Sequence, residues 1–154
     1  MSRKGVAYKK PLFYVKKNEN LLLALFTSFL AKDGKSSFAK NVILKVMKAI
    51  ELKTKKKPLE VIEKAIRMAS PRICLKPKQI GGATYQIPTL LSKLSSTTVG
   101  IKTIIKCARN RSGKGISSKL ALEILEAAKG NGLSIKKRET IHKMAESNRV
   151  FMTD

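Results

Sequence analysis

Apolar residues recur along most of this chain at helical spacing. Leu22, Leu25, Phe26, Phe29 and Leu30 follow the i, i+3, i+4, i+7, i+8 rule of one helix face, and Gly34 supplies a stop. Ala39, Val42, Ile43, Val46, Met47 and Ile50 repeat the pattern, while Lys40, Lys45 and Lys48 fall largely off that face. A second amphipathic helix is expected there, capped by Ser36 or Ser37. Lys53 to Lys57 reads as a basic loop. Pro58 then suits the first turn of a third helix, buried through Leu59, Ile62, Ile66 and Ala69 and ended by Ser70 and Pro71.

The period changes next. Residues 72–76 and 83–87 alternate in the manner of strands around a turn that holds Pro77, Gly81 and Gly82, which predicts a β-hairpin over about residues 72–88, closed by Pro88. A lone ribbon buries little, so it either packs on helices or projects toward a partner, and Lys76 and Lys78 favour projection. The Ser/Thr-rich stretch from Ser92 to Thr98 leads into a fourth helix with Ile101, Ile104, Ile105 and Ala108 inward. Positive charge gathers at its end, from Arg109 to Lys114. Ser117 is a candidate cap for a fifth helix, with Leu120, Ala121, Ile124, Leu125 and Ala128 as its buried stripe. A sixth, from about Ser134 to Asn148, is expected to bury Ile141, Met144 and Ala145. The expected fold is thus mainly α: six helices, one protruding hairpin and a basic N-terminal arm. Residues 1–17 form that arm and residues 18–154 a single helical domain, in keeping with a length of 154 residues.

Charge narrows the function. Lys plus Arg number 33 against 10 Asp plus Glu, a formal net charge of +23, and such a surplus calls for a polyanionic partner. Only seven of the basic residues are arginine, so phosphates meet compact ammonium groups more often than bidentate forks. Binding is then electrostatic and shape-based, and if about ten of these groups neutralise phosphates, affinity falls by orders of magnitude between low and moderate salt. In the aperiodic stretch before residue 18, Arg3, Lys4, Lys9, Lys10, Lys16 and Lys17 surround Pro11, as in an arm that orders on its partner; a solubilising terminus is the alternative.

Catalytic and metal chemistry find no footing. Cys74 and Cys107 are isolated, with no CxxC pair and no His at ligand spacing, so both read as reduced thiols and no metal or cofactor is expected. Gly34-Lys35-Ser36 and Ser112-Gly113-Lys114 lack the leading glycine of a phosphate-binding loop, since Phe29 and Ala108 occupy those places. His142 is the sole histidine and has no evident nucleophile or co-ligands. The longest apolar run, Leu21 to Phe26, is far short of the ~20 residues that a membrane-crossing helix needs, and the start carries no apolar signal core.

Three ordered blocks then point to a family. Ile80-Gly81-Gly82-Ala83-Thr84-Tyr85-Gln86-Ile87-Pro88 is similar to a valine-glycine-glycine ribbon, Ala108 to Lys114 to an Ala-Arg-x-Arg-x-Gly-Lys turn, and Lys136 to Phe151 to a Lys-Lys-Arg-Glu…His-x-Met-Ala-Glu-x-Asn-Arg-x-Phe ending. With Lys32-Asp33-Gly34-Lys35 and Pro58-Leu59, they make the chain resemble bacterial-type small-subunit ribosomal protein seven over nearly its whole length. That resemblance implies a helical, non-enzymatic protein that binds the 3′ major (head) domain of small-subunit rRNA and nucleates head assembly. It implies rRNA contacts at Arg3, Lys4, Lys9, Lys10, Lys35, Arg109, Arg111, Lys114, Lys136, Lys137 and Arg138. It further implies that Lys76, Lys78, Gln79, Lys143 and Arg149 face exit-site tRNA and mRNA, with other proteins of the head and platform as neighbours and no membrane partner. Departures occur at Pro11-Leu12-Phe13-Tyr14, at Pro77 and Gln79 in the hairpin, at Ser95, Ser96, Thr97 and Thr103 where a basic cluster and a Trp are usual, and at Thr140-Ile141.

An architectural nucleic-acid protein acting outside the ribosome would fit the charge equally well, but the ordered blocks argue against it. An interaction protein that adds a strand at the hairpin edge is a third class, and the Lys-rich tip fits RNA better than a peptide. The lysine excess and relaxed motifs suggest an AT-rich genome, hence a plastid or mitochondrial ribosome, with the bacterial cytoplasm as the alternative.

Overall fold

The computed structural model describes residues 20–151, so Arg3, Lys4, Lys9, Lys10 and the expected N-terminal arm lie outside the described residues. Six helices and one antiparallel hairpin follow in the expected order: α1 (Leu21–Leu30), α2 (Ser36–Thr54), α3 (Pro58–Ala69), β1 (Ile73–Ile80), β2 (Ala83–Leu90), α4 (Lys93–Asn110), α5 (Ile116–Ala128) and α6 (Leu133–Ser147). A short 3₁₀ turn, Arg149–Phe151, closes the order.

The apolar stripes meet in a single core. Helix α5 packs against α2, α3, α4 and α6, and its Leu120 and Ile124 are sealed from solvent together with Ile50, Ile101 and Ile104. Aliphatic residues dominate because the chain holds no Trp and few aromatics. Asn20 caps α1, its side chain accepting from the Leu22 N–H at 3.2 Å, and the Ser92 hydroxyl caps α4 by accepting from the Ser95 N–H at 3.4 Å.

Several boundaries differ from the sequence expectation, each for a local reason. Neither Ser36 nor Ser37 caps α2; Lys35 is the cap residue, without a side-chain bond. Lys53 belongs to α2, which runs on to Thr54, whose hydroxyl donates to the Ile50 carbonyl at 2.7 Å, so the loop shrinks to Lys55–Lys57. The Ser/Thr stretch after Ser92 is the first turns of α4 itself: Thr97 and Thr98 turn their hydroxyls back onto the carbonyls of Lys93 and Leu94, which lets polar residues sit in a helix. Gly115, not Ser117, precedes α5. Met144, expected inside, is 51% exposed.

The hairpin is longer than its alternation suggests. Pro77 pairs with Gln86 and Pro88 with Leu75, so neither proline ends a strand. Ile80 and Ala83 face each other across Gly81-Gly82, whose φ values of 56° and 85° suit a two-residue turn with both central residues in the left-handed region. Hydrogen-bonded pairs then alternate back from Ile80–Ala83 through Lys78–Tyr85 and Lys76–Ile87. Pro77 and Pro88 fall between them, where the missing N–H costs no ladder bond.

Candidate nucleic-acid interface

Basic side chains from distant parts of the chain converge at the α4–α5 connection. Arg109 stands in the last turn of α4, where a cation suits the helix dipole. Its Nη2 donates to the Leu30 carbonyl at 3.3 Å, fixing the guanidinium across the end of α1. Exposed Lys35 lies nearby: Lys32, Lys35, Arg109 and the exposed Phe38 line one cavity of about 230 Å³. The fold therefore brings Lys35 and Arg109 together across more than 70 residues of sequence.

Arg111 is placed differently. Its Nε donates to Glu123 Oε2 at 2.6 Å, its Nη1 to Glu126 Oε1 at 3.0 Å, and its Nη2 to Glu126 Oε2. These bonds raise the Arg111 pKa further and hold the Glu126 carboxyl below the ordinary value. Lys114, three residues on, is exposed. Arg111 and Lys136 line a second, larger cavity of about 810 Å³ with Glu126 and the α5–α6 turn.

The three basic residues of α6 separate. Lys136 is exposed, whereas Lys137 and Arg138 are half-buried. Lys137 lies against the Cys107 thiol; burial pushes that thiol up and the lysine charge partly opposes it. Arg138 donates to the Met68 carbonyl at 2.5 Å and approaches Glu139 at 3.9 Å. Lys137 and Arg138 thus combine a tie to the core with a partly accessible charge.

A second basic group surrounds the hairpin. Lys76, Lys78 and Gln79 are exposed along β1. Helix α6 packs on β1 and the 3₁₀ turn on β2, and the Arg72 N–H donates to His142 Nε2 at 3.4 Å, so the hairpin root is tied to the C-terminal segment that carries exposed Lys143 and Arg149. Sequence reasoning missed a basic groove beside that root: Arg67, Arg72 and Lys93 line about 580 Å³ with Ser96 and Thr97. Two stretches build it, the end of α3 with the residue before β1 and the start of α4, and their meeting is visible only in the fold.

Helix starts complete the picture. Unlike α1 and α4, helices α2, α3 and α5 begin without a side-chain cap bond, and each has a lysine beside that end, Lys35, Lys57 and Lys114 respectively, whereas the first-turn Ser134 N–H of α6 is taken by the buried Glu123. N–H groups with an adjacent ammonium suit phosphate, and need only charge and shape. Among the described residues no group of three or more His, Cys, Asp or Glu could hold a metal, and no helix is long and apolar enough to cross a membrane.

A family model described as ribosomal protein S7p/S5e matches residues 2–149. The chain belongs to the ribosomal protein S7 family. Its relatives include the small ribosomal subunit protein uS7 of Afipia carboxidovorans and uS7c of Ostreococcus tauri, each 38% identical over 98% of this chain and 97% of the relative. The uS7 of Arthrospira platensis is 36% identical over the same shares. As an S7-family member the protein is a structural constituent of the small ribosomal subunit and not an enzyme, with rRNA and other ribosomal proteins as its partners. The ribbon and the Ala108–Lys114 turn that carried the resemblance fall inside the matched span, as does the C-terminal block as far as Arg149.

Proposed function

We propose that the protein binds the 3′ major domain of small-subunit rRNA, nucleates assembly of the subunit head, and presents its hairpin and C-terminal segment to exit-site tRNA and mRNA. The observation that carries this reading is the convergence of Lys35 with Arg109, on a chain of net charge +23 that also exposes Lys114 and Lys136. Exposed lysines at uncapped helix starts favour recognition of a folded RNA backbone over reading of base edges. Arg3, Lys4, Lys9 and Lys10 extend the surface as an arm ending near residue 17, ahead of one RNA-binding body from 18 to 154. Lys137 and Arg138 support it from beneath, and Arg111 belongs to it in the manner argued below.

Lys76, Lys78, Gln79, Lys143 and Arg149 form the exit-region group in this proposal, supported by the packing of α6 and the 3₁₀ turn on the hairpin. Proteins of the head and platform are the neighbours. The host ribosome is that of a plastid or mitochondrion, supported by the lysine excess; a bacterial ribosome is the alternative, and relatives of both kinds occur.

The division of labour is testable with two double variants. Lys76→Ala with Lys78→Ala should leave affinity for a head-domain rRNA fragment within about twofold while disturbing exit-site tRNA retention. Arg109→Ala with Lys114→Ala should weaken fragment binding by roughly tenfold or more and flatten its salt dependence by about two phosphate contacts. Equal impairment of fragment binding by both would contradict the proposal.

A further inference from the structure

Glu123 is buried without any exposed side-chain surface, an unusual place for a carboxylate in so basic a chain. Every contact it makes joins two pieces of the basic surface. One oxygen accepts from Arg111 Nε; the other accepts from both the Ser134 N–H at 2.9 Å and the Ser134 hydroxyl at 2.7 Å. The carboxylate therefore sits at the positive N-terminal end of α6, where a helix favours an anion, and also pairs with the arginine that opens the α4–α5 loop. Glu126, one turn on, takes the terminal edge of the same guanidinium with both oxygens. The α5–α6 turn is shaped to this cluster: Gly132 has φ +113°, and a Cβ there would come within 3.2 Å of Glu123 Oε1.

We propose that Arg111, Glu123 and Glu126 form a positioning clamp. Two acidic residues thereby promote rRNA binding, by holding the loop that carries Lys114 and the α6 start that carries Lys136 as one preformed surface, while Arg111 itself makes no phosphate contact. The guanidinium fork is committed to carboxylates on both edges, so a phosphate would have to displace bonds that already match its geometry. A preformed surface loses less ordering entropy on binding than two loose segments do, and that difference appears directly as affinity. The inference rests on the rRNA-binding reading above.

The sign of one substitution separates the clamp from its rival. Glu126→Gln makes the protein more positive, so an Arg111 that contacted phosphate would be released and rRNA affinity would rise. The clamp predicts the opposite: head-fragment affinity should fall about tenfold, measured well below the melting temperature on variants whose circular dichroism matches the parent. Arg111→Lys keeps the charge but loses the fork, and should weaken binding to a similar extent. Combined with Glu126→Gln it should add little further, because both changes break the same unit. Unchanged or tighter binding by Glu126→Gln, or additive losses in the double variant, would overturn the clamp. A parent protein that failed to bind the fragment would instead refute the rRNA-binding reading.

Discussion

Arg111 and Glu126 carry the clearest electrostatic consequence of the fold. Hydrogen bonding to Arg111 lowers the Glu126 carboxyl from its ordinary 4.5. A folded-state value below the unfolded one means that the pair stabilises the fold above the unfolded value, and that this contribution is lost as pH falls through the folded value. As pH falls below about 5, the parent should therefore lose more stability than Glu126→Gln, as read from urea midpoints at each pH. The side chain is 43% exposed, so the difference should stay within about 1 kcal/mol. Parallel acid profiles would remove the pair from the stability of the fold. The motif at Arg109–Lys114 was legible in sequence as a basic turn, and so was its family. That Arg111 turns inward was not, because its partners lie 12 and 15 residues away. A signal did exist: Glu123 falls three residues after Leu120 and four before Ala127, on the stripe that α5 buries. A carboxylate at such a place needs a cation and donors, and Arg111 and Ser134 supply them.

At the scale of elements, periodicity located every helix but misplaced several ends. Amphipathic stripes arise from burial against a shared core and so survive in the sequence, whereas ends depend on which polar group satisfies the last N–H and C=O groups. Gly115 opens α5 where Ser117 looked the better cap, and the hydroxyls of Thr97 and Thr98 fold back so that α4 starts at Lys93. The hairpin was legible from Gly81-Gly82 and the alternation around it, but Pro77 and Pro88 read as breakers because their pairing parity becomes visible only once the two-residue turn fixes the register. That parity predicts a contrast. Lys76→Pro places a proline at a hydrogen-bonded site and should speed amide exchange at Lys78 and Tyr85, while Pro77→Val should leave both protected. Similar exchange in the two variants would contradict the assigned register.

For the molecule as a whole, a core of aliphatic side chains around α5 supports a surface that carries the large positive surplus. Charge alone pointed to a polyanion and would have served an architectural protein equally well; ordered blocks narrowed it to one family, and the match over residues 2–149 makes that membership plain. Tertiary structure adds what neither could give: Lys35 beside Arg109, the hairpin root tied to α6, and a buried carboxylate joining two basic segments. These contacts join residues far apart in the chain, which composition and local spacing do not encode. The most direct measurement is gradient sedimentation of ribosomes from cells or organelles that express the tagged full chain. The account predicts that the protein travels with the small subunit, stays in the head-domain particle after partial RNA cleavage, and leaves only at high salt; recovery solely in nucleoid or free-protein fractions would contradict it.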